Sequence, residues 1–123
     1  MSTQTVLVVD DSCTVRTKID RILRQAGFNV LLADDGEKAL EMLKQEPDVL
    51  ILDIIMPGMD GYDVLEQMKK LDESYARLPV LFLTSMDNQA LRLLGREYGA
   101  YLQKPVEETN LLNTINNLFA TLP

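Results

Sequence analysis

No histidine occurs in this chain. That absence excludes a Ser-His-Asp or Cys-His nucleophile pair, a histidine metal ligand and a phosphohistidine on this polypeptide. The one cysteine, Cys13, has no partner for an internal disulfide, and the expected compartment is a reducing cytoplasm. No apolar run approaches the roughly 18 residues of a membrane helix, so no membrane role is expected. The first residues, Met1-Ser-Thr-Gln-Thr5, lack the basic, apolar and small-residue regions of a signal peptide. Positive charge is scarce: 12 Lys and Arg against 19 Asp and Glu leave a net charge of −7. Direct nucleic-acid binding, which needs a basic patch to neutralise phosphates, is therefore not expected. Arg16, Lys18, Arg21 and Arg24 do cluster, and they read as a solvated helix face.

What is present is an ordinary core and a regular alternation. At 123 residues and 46% hydrophobic, residues 1–123 fit one domain. Met1 reads as a natural start, and Pro123 as either a native end or the boundary of a piece of a longer protein. Runs at 5–9, 28–33, 48–52 and 79–84 are continuously apolar, as strands covered on both faces are. A weaker run at 99–103 gives a fifth strand. Between them, apolar residues recur at helical spacing: Val15 to Ala26, Ala39 to Leu43, Val64 to Leu71, Ala90 to Tyr98, and Leu111 to Leu122. Gly27 reads as a helix stop, and the second helix must end before Pro47. Five strand–helix pairs predict an α/β fold with an open, doubly wound parallel sheet.

Chemistry-bearing residues stand where the strands run out. Val6-Leu-Val-Val9 ends in Asp10-Asp11, Val49-Leu-Ile-Leu52 in Asp53, Val80-Leu-Phe-Leu83 in Thr84, and the fifth run in Lys104-Pro105. Parallel sheets place their sites beyond these carboxyl ends. Three crowded carboxylates are unfavourable unless a cation neutralises them, and oxygen-only ligands select Mg²⁺ or a similar hard ion. Asp53, followed by the turn-rich loop Ile54 to Gly61, can act as a nucleophile on phosphorus, with Lys104 neutralising charge and Thr84 donating to the phosphoryl oxygens. A dinucleotide fold is excluded, because the turn after the first strand holds no glycine. A metal-dependent phosphatase with two aspartates spaced by one residue stays a remote alternative, since Ser12 occupies the second place.

As a set, Val8-Val-Asp-Asp-Ser12, Leu50 to Gly61, Leu83-Thr-Ser85 and Lys104-Pro105 resemble the CheY-like receiver domains of bacterial response regulators, over essentially the whole chain. The resemblance implies a flavodoxin-like sheet of order 2-1-3-4-5 with five helices, the order given for CheY itself as an example of such folds. It implies that Asp53 is the phosphoacceptor, charged by a sensor histidine kinase, a phosphotransfer protein or a small phosphodonor. Asp10 and Asp11 would hold Mg²⁺ together with Asp53 and the Ile55 backbone carbonyl. Thr84 and Lys104 would sense the phosphoryl group, Tyr101 would be the aromatic switch, and Lys104-Pro105 would be cis. The implied role is a signalling module rather than an enzyme for outside substrates. Its phosphorylation alters the face between the fourth and fifth helices, and with it the affinity for a downstream protein or fused output domain.

The chain also departs from that family. Thr84 and Lys104 stand closer than usual because Gly99-Ala100 abut Tyr101, so a shortened fourth helix or fifth strand is expected. Val106 replaces a common phenylalanine. Ile55 and Met86 are apolar where side chains influence water attack on the phosphoryl group. They are expected to exclude water and prolong the phosphorylated state.

Overall fold

A computed structural model describes residues 3–85 and 89–120. Five parallel strands form one sheet in the order β2-β1-β3-β4-β5. They are β1 (Thr5–Val9), β2 (Asn29–Ala33), β3 (Val49–Asp53), β4 (Val80–Thr84) and β5 (Gly99–Gln103), interleaved with α1 (Cys13–Gln25), α2 (Gly36–Met42), α3 (Gly61–Leu71), α4 (Gln89–Tyr98) and α5 (Glu108–Ala120). This is the expected doubly wound architecture. The expected helix positions at Leu122 and the site position Met86 lie outside the described residues.

Continuous apolar strands have a physical reason here, because both faces of the sheet are covered. Alternation along β1, β3 and β4 sends Leu7, Val9, Leu50, Leu52 and Phe82 to the α2–α3 side. Val6, Val8, Val49, Ile51, Leu81 and Leu83 go to the α1–α5 side, where they meet Ile19, Leu23, Leu111 and Ile115. Phe82 is fully buried. Its truncation to alanine would cost about 3–5 kcal/mol by the usual cost of emptying such a site.

Local signals start and stop the helices. Ser12 caps α1, its Oγ accepting from the Val15 N–H, and Gly27 with φ +96° ends that helix as expected. Asp35 caps α2, which tightens into a 3-10 turn at Leu43–Gln45 and stops before Pro47. Asp60 and Asp63 form a reciprocal capping box at the start of α3. A 3-10 turn at Glu73–Arg77, which the periodicity did not mark, links α3 to β4.

β5 has five residues, the same length as the other strands, α4 spans ten, and no connection separates them, since Tyr98 ends α4 and Gly99 begins β5. Glycine makes this junction possible. A Cβ at Gly99, whose φ is +156°, would stand 2.6 Å from the Val80 carbonyl oxygen. One at Gly95 would stand 2.7 Å from Tyr101 Cβ, so α4 lies tight on β5. Tyr98 is held between neighbours: its ring meets Phe82 edge-on at 6.1 Å, and the Lys69 ammonium of α3 sits 5.3 Å from its centroid.

Candidate functional site

Register brings the strand-end residues level. Val9 pairs with Leu52, so Asp10 and Asp53 follow side by side on the two central strands. Asp53 pairs with Leu83, one residue before Thr84, and Thr84 pairs with Gln103, one residue before Lys104. The Lys104 N–H donates to the Thr84 carbonyl at 2.7 Å, tying the ends of β4 and β5 together. The Lys104-Pro105 peptide is cis.

Asp10, Asp53 and Thr84 are buried, while Asp11 is exposed at the rim. Lys104 Nζ lies 2.9 Å from Asp10 Oδ2 and 3.4 Å from Asp53 Oδ2. Asp10 Oδ1 accepts from the Ser12 N–H at 2.8 Å, and Asp53 Oδ1 accepts from the Ile55 N–H at 3.3 Å. Asp10 Oδ2 meets the ammonium only as an ion pair, at an angle that leaves this buried oxygen without a hydrogen bond. Gly61 lets α3 start directly over the strand end, since a Cβ there would come within 2.8 Å of the Asp53 carbonyl oxygen.

Electrostatics follow from this crowding. Burial, with the Asp10 carboxylate beside it, pushes the Asp53 carboxyl up to about 7, against the opposing pull of Lys104. Burial draws Lys104 down, but the Asp10 and Asp53 carboxylates outweigh it and hold the ammonium above its ordinary pKa. One ammonium thus faces three carboxylates. Oxygens of Asp10, Asp11 and Asp53 lie within 4.8 Å of one another, a cluster that can hold a metal ion. The surplus of two negative charges, the unbonded buried oxygen and the all-oxygen donor set suit a hard divalent cation.

Sequence reasoning named the residues that meet here: Asp10, Asp11, Asp53, Thr84 and Lys104. Ile55 lies at the rim with its side chain half exposed, and Tyr101 is partly buried against the α2–α3 core. One contributor was missed. Arg16, read as part of a solvated face, donates from Nη1 to the Asp10 carbonyl at 2.8 Å. Arg24 of the same group pairs with Asp20 and also donates to the Val30 carbonyl. The Asp60–Asp63 capping box carried a readable signal, an aspartate followed three residues later by another.

Comparison with known proteins gives one answer. The family model for the response regulator receiver domain matches residues 6–116. Protein PilH of Pseudomonas aeruginosa is 39% identical over 118 residues, covering 94% of this chain and 97% of its own length. The transcriptional regulatory protein CpxR of Escherichia coli K12 is 37% identical, and the match spans 89% of this chain but only 47% of CpxR. Among solved structures, the chemotaxis protein CheY4 of Vibrio cholerae superimposes with a TM-score of 0.85 at 32% identity, covering 95% of this chain and 99% of that one. No helix among the described residues is long and apolar enough to cross a membrane. Receiver domains take part in two-component signalling, interacting with histidine kinases and downstream effectors. By sheet order, by the acidic edge beside Lys104 and by these matches, the chain belongs to the response regulator receiver domain family.

Proposed function

We propose that Asp53 takes a phosphoryl group from a sensor histidine kinase or a phosphotransfer protein, and that the modified state changes affinity for a downstream partner. The carrying observation is the meeting of buried Asp53, buried Asp10 and the Lys104 ammonium at one sheet edge. Asp10, Asp11, Asp53 and the Ile55 carbonyl would hold Mg²⁺, which when bound supplies positive charge against the carboxylates and the phosphoryl oxygens. An Asp53 oxygen attacks phosphorus, the phosphorus–nitrogen bond of the donor breaks, and its electron pair leaves with the imidazole nitrogen. Lys104, kept charged by its two carboxylate neighbours, follows the new phosphoryl oxygens. Thr84 donates its hydroxyl to them, and Tyr101 responds from the adjoining strand.

Such a modification adds about −1.5 to −2 charges and three acceptor oxygens, enough to draw Thr84 and Lys104 toward it. The module assists its own phosphorylation and phosphate loss and does not turn over outside substrates. Residues 1–123 act as one receiver unit in the cytoplasm, alone or as part of a longer regulator.

The test is incubation with acetyl phosphate and Mg²⁺, read by intact mass. Wild type gains one phosphoryl group and Asp53→Asn gains none. A wild type that takes no phosphoryl group, or an adduct that persists in Asp53→Asn, would refute the assignment.

A further inference from the structure

Asp10 is held through its backbone and through both carboxylate oxygens. Its N–H donates to the Ala33 carbonyl at 3.2 Å, its Oδ1 accepts from the Ser12 N–H, and its Oδ2 faces Lys104. Its carbonyl lies beyond the last β1–β3 register pair, at the corner where the chain leaves the sheet for α1. A buried carbonyl at such a corner needs a donor from outside the ladder. Arg16 provides it, reaching back from the first full turn of α1 with Nη1 2.8 Å from the Asp10 oxygen. The bond is charge-assisted and part-buried, so it is stronger than a neutral one and weakly screened.

We propose that Arg16 is a positioning residue for the cation site, resting on the reading of Asp10, Asp11 and Asp53 as the ligands. It clamps the β1–α1 corner to its own helix, so that Asp10 and Asp11 keep one orientation while α1 packs by Ile19, Ile22 and Leu23. It also places a fixed positive charge one peptide from two carboxylates whose mutual repulsion would otherwise open the corner. The guanidinium touches the backbone and acts only through the aspartates. Outer partners of this kind alter metal affinity without being ligands.

Calorimetric titration of Mg²⁺ into the unphosphorylated chain tests this, with urea unfolding in EDTA measured on the same samples. Arg16→Ala is expected to weaken Mg²⁺ binding roughly tenfold, in the range seen when metal-ligand supports are lost. Arg16→Lys, which keeps a cation able to reach the carbonyl, is expected to lose less than Arg16→Ala. Ile115→Val, a core change on the α5 side, lowers stability and leaves Mg²⁺ affinity in place, which separates positioning from general loosening. A folded Arg16→Ala with wild-type Mg²⁺ affinity overturns the proposal while the site reading stands. Absence of Mg²⁺ binding in wild type overturns both. Should Arg16→Ala fail to fold, Arg16→Gln, a shorter neutral donor, is judged by the same comparison with wild type.

Discussion

Asp53→Asn should make the metal-free protein more stable, and only where the aspartate would be ionised. The substitution keeps the side chain's shape and an oxygen for the Ile55 N–H, but removes a charge facing Asp10. In the folded chain the Asp53 carboxyl is carried from 3.8 to about 7 by burial and by Asp10. At roughly 1.4 kcal/mol per tenfold change in proton affinity, ionised Asp53 costs the folded state about 4 kcal/mol. That cost already includes the Lys104 contact, and water at the exposed rim by Asp11 screens it further, so the net gain should be about 2 kcal/mol.

The sign depends on pH in a defined way. Below about 4 both folded and unfolded Asp53 are protonated, and the two proteins differ little through this residue. Between about 4 and 7 the folded wild type binds a proton that the unfolded chain has released, so its stability falls as pH rises. Above 7 the loss is complete. Urea unfolding in EDTA, followed by circular dichroism from pH 4.5 to 8, should show the advantage of Asp53→Asn growing to its plateau. A difference flat with pH, or a less stable Asp53→Asn at pH 8, would refute the electrostatic account of this edge.

Mg²⁺ at a hundredfold excess over its dissociation constant should stabilise wild type at pH 8 by about 2.7 kcal/mol and Asp53→Asn by much less; equal gains in thermal unfolding would place the ion elsewhere. Gly99→Ala should lose roughly 2–4 kcal/mol in urea unfolding, because the new Cβ meets Val80 backbone that cannot give way. Ser12→Ala should cost about 1 kcal/mol through loss of the α1 cap, and no change in urea midpoint would contradict that role. Ile55→Asn and Met86→Glu should each shorten the lifetime of phosphorylated Asp53, measured by loss of phosphoryl mass; unchanged lifetimes would remove the water-excluding role of these side chains.

The fold was legible because burial on both faces forces continuous apolar strands, and β1, β3 and β4 carry that pattern without a break. The acidic edge was legible for a related reason. Once strands are parallel, whatever follows their last apolar residue shares one edge, and that brought Asp10, Asp53, Thr84 and Lys104 together. Arg16 was not legible in this way. Its bond goes to a backbone carbonyl, which has no side-chain identity, and four basic residues on one amphipathic helix look alike in sequence. The direct junction of α4 with β5 was also hidden, because the spacing between Thr84 and Lys104 does not say how the residues divide among helix, strand and loop. Only the close approach allowed by Gly95 and Gly99 decided it.

Joining Tyr98 straight to Gly99 leaves no slack between helix and strand. A loop would absorb a small displacement; here the last turn of α4 runs directly into β5. Lys69, reaching over the Tyr98 ring from α3, adds a contact on the far flank of that junction. Under the proposed switch, a displacement of β5 would pass to α4 with no loop between them, and the Lys69–Tyr98 contact would oppose it from a surface remote from the acidic edge.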